Sequence, residues 1–499
     1  MTIAGLDIGT TGCKCTVFDE EGKELGKAYR DYPVTRGLSG HEIDVSALRE
    51  GVFEVIREMS AAHPDIAGIG VTSFGETFVM TDDRGEPLLP SMLYTDPRGA
   101  EECRALMDAL GEMHIAEITG LRPHEMYGIS KMMYRKKHDP EAFEKTAHIF
   151  QMEDYIVFLL SGKAVIDYSL ATRSMAFDIH KLSYSSEILR AAGIPEELLS
   201  APVPSGTAAG TVTPEASEKT GLSTECLVVS ISQDQVAAAV GAGAFSGSVG
   251  VDGAGTVECL TPVYDSIPEI QPMYDGYFAV VPYVIPGKYV AYAFSYTGGA
   301  LIQWCVDTLA KKEKEEAKAL GISVNELLER RYTEKRGNEP SGLLVLPHFA
   351  GAATPYMDTG SRGVVIGLTA DTEVCEIYRA CMEGVAYEML VNYRAVRKSG
   401  VHFEKLNATG GGAKSRMWMQ MKADILNKPI TALQTVDAGT VGSAMLTGIA
   451  AGVFRDLEDA AAHMVEETVS YVPDPMMHEK YMRIFERYEK VYKAVRPLM

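Results

Sequence analysis

Leu6-Asp7-Ile8-Gly9-Thr10-Thr11-Gly12-Cys13 is the stretch whose reading decides the fold. An apolar run from Ile3 ends on an acid and a turn of small residues, and a second run, Cys13 to Phe18, follows at once. In that run Cys13, Cys15 and Val17 point one way and Lys14 and Thr16 the other, the alternation of a strand. Asp19-Glu20-Glu21-Gly22 supplies turn chemistry before a third extended stretch from Glu24. Strand, small polar turn, strand, turn, strand is the expected opening. The first turn also carries chemistry. Gly9 and Gly12 let the chain bend tightly, and backbone N–H groups in such a turn can face phosphate oxygens. Thr10 and Thr11 add hydroxyl donors, and Asp7 is placed to hold a hydrated Mg2+. An ordinary hairpin with an acid at its mouth fits the same letters.

Outward from this hairpin, Asp44 caps a helix whose apolar face is Val45, Leu48, Val52, Val55, Ile56 and Met59. Ile66 to Ser73 follows as a buried strand, and strands alternate with helices up to about residue 240, the pattern of a layered α/β domain. Near residue 245 the pattern starts afresh. Gly243-Ala244-Phe245-Ser246-Gly247-Ser248 is small and flexible, a crossing between units, with Gly241, Gly243 and Gly247 available to a hinge. Val249 to Leu260 then sets a second turn, Asp252-Gly253-Ala254-Gly255-Thr256, between two extended runs, like a copy of the opening hairpin. We therefore divide the chain into 1–245 and 246–499. Glu376 to Ser399 reads as a long helix stopped by Gly400. The charged segment 310–338 reads as helical and solvated, with no chemistry to assign.

Two further segments can carry chemistry. The strand Cys226 to Ile231 delivers Ser232-Gln233-Asp234-Gln235 to its carboxyl end, where open α/β sheets bind ligands. Asp234 there is either a reactive acid or the cap of the small-residue helix that follows. Thr409-Gly410-Gly411-Gly412-Ala413-Lys414-Ser415 precedes a helix containing Trp418, Met421 and Ile425. Three glycines in a row leave the backbone bare for a phosphate or a flat base, or simply make a tight turn.

Taken together, the order and spacing of these three segments resemble the FGGY carbohydrate kinases, a branch of the actin-like ATPase superfamily, over nearly the whole chain. Asp7-Ile8-Gly9-Thr10-Thr11 is similar to the family's first phosphate motif and Gln233-Asp234-Gln235 to the segment with its catalytic aspartate. Gly410 to Ser415, continuing through Trp418, Gln420 and Ala423-Asp424-Ile425-Leu426, resembles its adenosine-binding signature. The resemblance implies two ribonuclease-H-like α/β domains with a catalytic cleft between them. It further implies transfer of a phosphoryl group from ATP, with Mg2+, to a sugar or polyol hydroxyl. Asp234 is then the general base, Asp7 and Asp234 are the metal-side acids, and Gly9, Thr10, Thr11, Gly255, Thr256, Gly299, Gly411, Gly412 and Ser415 hold the nucleotide. On the acceptor side it implies Glu76, Thr77, Tyr94, Asp96, Arg98 and Gln235. Gly75 stands where glycerol kinases have an arginine, which lowers glycerol as the acceptor. Tyr94 and Tyr134 stand where tryptophan is usual. Asp96 and Arg98 also read as a structural ion pair. A ketose such as xylulose leads among acceptors, with gluconate or a polyol as alternatives. A non-catalytic or chaperone-like ATP-binding relative is the reading from another class.

Bulk properties agree with this class. A chain of 499 residues suits two or three domains. A formal net charge of −21 argues against nucleic acid or an anionic membrane as partner. No apolar run is long enough to span a bilayer, and the start lacks the basic and small-residue features of a signal peptide. The eight cysteines are scattered, so a cytoplasmic protein with reduced thiols is expected. A homodimer is compatible with the sequence, and nothing in it decides for one.

Overall fold

The computed structural model describes residues 1–37, 40–435 and 437–499. Strands β1 (Thr2–Ile8), β2 (Gly12–Phe18) and β3 (Glu24–Asp31) form the expected antiparallel meander. Helix α1 (Val45–Ala62) covers β2 and β3 with the apolar stripe read from its period. The Asp44 carboxylate accepts hydrogen bonds from the Ser46 and Ala47 N–H groups, which fixes where the helix starts. Strand β4 (Ile66–Ser73) runs parallel to β1. Farther along the chain, β5 (Thr207–Thr211) lies antiparallel to β6 (Leu227–Gln233), and β6 is parallel to β4. The sheet order is β5-β6-β4-β1-β2-β3. Strand β6 passes directly into α2 (Asp234–Gly241).

The pattern then repeats. Strands β7 (Val249–Ala254), β8 (Glu258–Tyr264) and β9 (Ala293–Ser295) make a second antiparallel meander. Helix α3 (Gly299–Leu309) follows, and α4 (Val374–Val396) is the long helix, ending through one 3-10 turn at Gly400, whose φ is 89°. Next come β10 (Lys405–Thr409), α5 (Arg416–Leu426), β11 (Ile430–Leu433), α6 (Ala438–Ala450) and β12 (Glu467–Tyr471). Strands β10 and β11 extend β7 in parallel, and β12 closes the edge antiparallel. The inner order β9-β8-β7-β10-β11-β12 reproduces the first sheet down to its antiparallel edge. Two ribonuclease-H-like sheets in one chain are the architecture the sequence resemblance implied.

The segment read as a solvated charged face, 310–338, forms two helices, Lys311–Leu320 and Val324–Arg336. The second buries Leu327, Leu328 and Tyr332, so only part of it is solvated.

The halves join through α2 and α6, which cross backbone to backbone. A Cβ on Gly241 would overlap the Ala438 carbonyl, and one on Gly442 would overlap that of Ala237. Helix α6 also lies under the first sheet, where a Cβ on Gly5 would overlap the Thr440 carbonyl. The Ser443 hydroxyl donates to the Gly70 carbonyl at 2.9 Å. Gly241 therefore serves close packing, and Gly243 supplies the left-handed turn just after it, with φ 70°.

Candidate active site

Strands β1, β4 and β6 are adjacent and parallel, and their register sets Ile8, Ser73 and Gln233 side by side. The turn Gly9–Gly12, the segment Phe74–Thr77 and Asp234 thus leave the sheet at one end, the carboxyl end where such sheets bind ligands. The turn is closed by the Gly9 N–H donating to the Gly12 carbonyl at 2.9 Å. Asp234 does not cap α2. That role falls to Gln233, whose side-chain oxygen accepts from the Gln235 N–H at 3.0 Å while its amide nitrogen donates to the Asp234 carboxyl. Burial pushes the Asp234 carboxyl up to about 7. The negative charges of Asp7 and Glu76 add to this, and the Gln235 N–H and Arg173 oppose it. Asp7 is raised to about 6 by burial, with Lys14 pulling it down and Asp437 pushing it up. Two acids are therefore within Coulombic reach of each other, and one is tuned to accept a proton near neutral pH.

Glu76 sits in the left-handed region, φ 66°, a conformation that costs a non-glycine residue roughly 1–2 kcal/mol. Its carboxylate is gripped by Arg173 through Nε at 2.5 Å and through Nη2. A Cβ on Gly75 would stand 2.9 Å from Arg173 Cγ. The residue that departs from the glycerol-kinase pattern thus makes room for an arginine from elsewhere in the chain. Thr77 is buried and its hydroxyl has no partner among the described residues. The Tyr94 phenol is raised by burial and then by Glu76 and Asp234, so it lies within Coulombic reach of both acids.

Asp96 and Arg98 are not brought into that group. Arg98 Nε and Nη2 take the Asp96 oxygens at 2.9 and 2.6 Å, and the His41 N–H donates to Oδ2 at 2.6 Å. Arg98 also holds Glu42 at 2.7 Å, and Lys131 donates to the Asp96 carbonyl at 2.8 Å. Asp96 is buried with both oxygens engaged, so the pair forms the structural clamp that was the other reading of these letters. Gln235 is half-buried at the start of α2.

On the second sheet three glycine segments meet. Register pairs Gly253 with Thr409, so the turn after β7 and the loop after β10 leave side by side. The Gly299 N–H donates to the Gly255 carbonyl at 2.8 Å, and the Gly298 N–H to that of Thr256 at 3.0 Å. Gly410, at φ 89°, lies so near the Ala254 carbonyl that a Cβ would be 2.7 Å from it. Gly411 has open space where its side chain would be. The Ser415 hydroxyl caps α5 through the Trp418 N–H at 3.2 Å and donates to Glu329 at 2.9 Å. The charged helix Val324–Arg336 thereby braces this loop.

Three residues of the site went unread in the sequence. Lys14, paired in register with Asp7, reaches Asp437 at 2.7 Å across the two halves. Arg173 comes from 97 positions away to meet Glu76. The alternation of β2 places Lys14 on the opposite side from Cys13 and Cys15, which was its only signal. Asp437 and Arg173 had none. Among the described residues no cluster of three or more His, Cys, Asp or Glu side chains could cage a metal by itself.

Twin sheets of this topology, with acids at the end of one and bare glycine loops at the end of the other, define the actin-like ATPase class. The model of the FGGY family of carbohydrate kinases, N-terminal domain, matches residues 2–241, and that of the C-terminal domain matches 261–451. The chain belongs to the FGGY family of carbohydrate kinases and is an ATP-dependent phosphotransferase. It is 28% identical to a xylulose kinase of Lactococcus lactis over 498 residues, covering 98% of this chain and 96% of that one. It superposes on a xylulose kinase from Rhodospirillum rubrum with TM-score 0.88 at 24% identity, covering 100% of this chain and 99% of that one. A gluconate kinase from Lactobacillus acidophilus superposes with TM-score 0.88 at 22% identity, covering 99% and 98%. Among the described residues no helix is long and apolar enough to cross a membrane.

Proposed function

We propose that the protein transfers the γ-phosphoryl group of ATP to a hydroxyl of a ketose such as xylulose, with Asp234 as general base. The observation that carries this reading is the Asp234 carboxyl, freed from helix capping and pushed up to about 7. A sugar hydroxyl is a weak nucleophile, and a base of this pKa can take its proton as the O–P bond forms. Glu76, Tyr94 and Arg173 lie within Coulombic reach of the same carboxyl and orient the acceptor, and Gln235 offers an amide next to it in the chain. Asp96 and Arg98 act indirectly, by fixing the segment that carries Tyr94.

The N–H groups of Gly9, Thr10 and Thr11 face the transferred phosphate. Gly255, Thr256, Gly299, Gly411, Gly412 and the segment up to Ser415 hold the nucleotide, and the two lobes meet near residue 245. Mg2+ fits the donors present, hard carboxylate oxygens on Asp7 and Asp234, with phosphates and water to complete its shell. When bound it supplies charge neutralisation at the phosphates. Gluconate is the second acceptor, favoured by two guanidinium groups, Arg122 and Arg173, in the wall of one recess.

The test is a coupled ADP-release assay with Mg·ATP against ketoses, sugar acids and polyols, run beside Asp234→Asn. Turnover with one acceptor class, lowered ~10²- to 10⁴-fold in the variant, is the expected outcome. A folded variant that keeps more than about half its turnover removes Asp234 from the mechanism, since loss of a general base costs far more. ATP hydrolysis stimulated by no sugar points to the non-catalytic relative.

A further inference from the structure

A recess lined by Arg122, Tyr127, Arg173, Tyr277, Tyr292 and Phe294 shares Arg173 with the ion pair that holds Glu76. Arg173 and Tyr292 both fall within Coulombic reach of the Asp234 carboxyl. They are 7% and 6% exposed, and the guanidinium carbon lies 5.6 Å from the Tyr292 ring centroid. Arg173 spends Nε and Nη2 on Glu76, while Nη1 and the Tyr292 hydroxyl have no partner among the described residues. Buried polar groups in folded proteins are nearly always paired. Each one left bare keeps the full cost of its lost hydration, and a charged one more. Both atoms belong to residues that line one recess, and a small side-chain movement that turned them into it would let a ligand atom complete the pairing.

The chemistry of the wall says which atom. Arg173 Nη1 can only donate, and the Tyr292 hydroxyl is free to donate. Arg173 holds Glu76 through Oε1 alone, and the rest of the wall is aromatic and apolar apart from His124 and Arg122. Arg122 adds a second cation, its guanidinium carbon 4.5 and 3.9 Å from the ring centroids of Tyr274 and Tyr277. An alcohol oxygen must also place its own proton, and Arg173 Nη1, which can only donate, offers it no acceptor. An oxo oxygen has lone pairs for both donors and no proton.

We infer that this recess is the acceptor-specificity site, and that Arg173 Nη1 and the Tyr292 hydroxyl together bind an oxo oxygen of the acceptor. This rests on the kinase reading above and deepens it. The oxo group is either the ketone of an open-chain ketose or the carboxylate of a sugar acid. In both cases the matched polyol, which differs only by carrying an alcohol there, leaves the donors poorly paired and is discriminated against.

The experiment compares kcat/KM for xylulose against xylitol and for gluconate against glucitol, in the wild type, Tyr292→Phe and Arg173→Lys. The first variant removes one hydroxyl and keeps the ring. The second keeps a cation beside Glu76 and withdraws Nη1. Calorimetric titration of the same four compounds gives a readout that needs no turnover, and ATP-analogue binding together with melting shows that the variants are folded. The expected result is that one pair shows a wild-type preference for the oxo member. Each variant then lowers that preference ~10-fold or more, the effect of a lost hydrogen bond to a buried partner, with the KM for ATP unchanged. The pair that responds tells ketone from carboxylate. A wild type that prefers the polyols, or variants that weaken both members equally or neither, overturns the inference while leaving the kinase reading intact. A wild type that neither binds nor turns over any of the four overturns the inference, and the wider ADP-release panel then decides the kinase reading by itself.

Discussion

The two halves of the molecule share a strand order to the last edge strand, yet the acids in their opening strands go opposite ways. Asp7, on β1, is raised to about 6 and receives no hydrogen bond from a described residue; Lys14 turns its ammonium to Asp437 instead. Asp252, on β7, is fully buried and takes Lys422 Nζ at 2.8 Å, while the same ammonium also holds Glu258. Burial disfavours the Lys422 cation, but the two carboxylates outweigh that and raise its pKa. The acid of one hairpin is thus left electrostatically unfinished, and that of the other has both oxygens on a buried lysine, which leaves only Glu258 Oε2 without a partner among the described residues. A duplicated sheet can keep its shape while one copy carries reactive groups and the other a rigid loop. Reactive groups need an unmet demand, and scaffolds need theirs met.

The largest expected effect separates these roles directly. Lys422→Met strips the cation from two buried carboxylates and should cost about 3–5 kcal/mol of unfolding free energy in denaturant titration. Asp7→Asn should leave the denaturation midpoint unchanged or raised at pH 8, because an acid whose pKa rises from 3.8 to about 6 on folding opposes folding once ionised. Its turnover should nevertheless fall by ~10²-fold or more if Asp7 stabilises transition-state charge. An Asp7→Asn protein that unfolds early, or a Lys422→Met protein as stable as the wild type, would erase the contrast.

Next in size is the pH response of the unfinished half. With Asp234 held near 7, kcat/KM should fall about tenfold per pH unit on the acid side, because only the ionised base accepts the proton. The Asp7 charge is the second cause of the Asp234 shift, after burial. The weak residual activity of Asp7→Asn should therefore show its acid limb moved to lower pH. A limb that stays in place would mean that burial alone sets the base.

Much of this was legible in the letters, for identifiable reasons. Asp7 and Asp234 stand at the ends of apolar runs followed by small residues, so local pattern alone places each acid at the mouth of a strand. The glycine loop at 410–412 announces itself by composition. Whether Asp234 caps its helix was not legible, because Gln233 and Asp234 both suit that position and only the fold shows Gln233 taking it. Asp96 and Arg98 match a binding pattern and a clamp equally well, and the choice turns on His41, Glu42 and Lys131, which arrive from other segments. Arg173 and Lys422 are two of 47 basic residues with no distinguishing neighbours in the sequence. Their meaning lies wholly in partners 97 and 170 positions away.

The junction between the halves gives a smaller effect. Gly442→Ala places a methyl against the Ala237 carbonyl where α2 and α6 cross, an overpacking that should cost about 1–3 kcal/mol. Because both helices bear on the site, through Asp234 at the start of α2 and Gly439 beside Asp7, activity should fall with stability. A variant with unchanged stability would show that the helices can slide apart at little cost, and the crossing would then be a joint and not a weld.

The smallest effect is the most informative about how the halves cooperate. Lys14 and Asp437 form the 2.7 Å ion pair between β2 and the start of α6, with side chains 24% and 33% exposed. A pair this open to water contributes at most about 1 kcal/mol, so Asp437→Asn should barely move the denaturation midpoint. It should still change the site. Asp437 raises the Asp7 pKa and Lys14 lowers it, so removing the acid lets Asp7 ionise at lower pH. If Asp7 is a metal-side ligand, half-saturation by Mg2+ at pH 6 should fall in the variant, with little change at pH 8, where Asp7 is ionised in both proteins. An equal change at both pH values would mean that Asp437 acts on the metal itself or on closure of the two halves, and that Asp7 is not its intermediary.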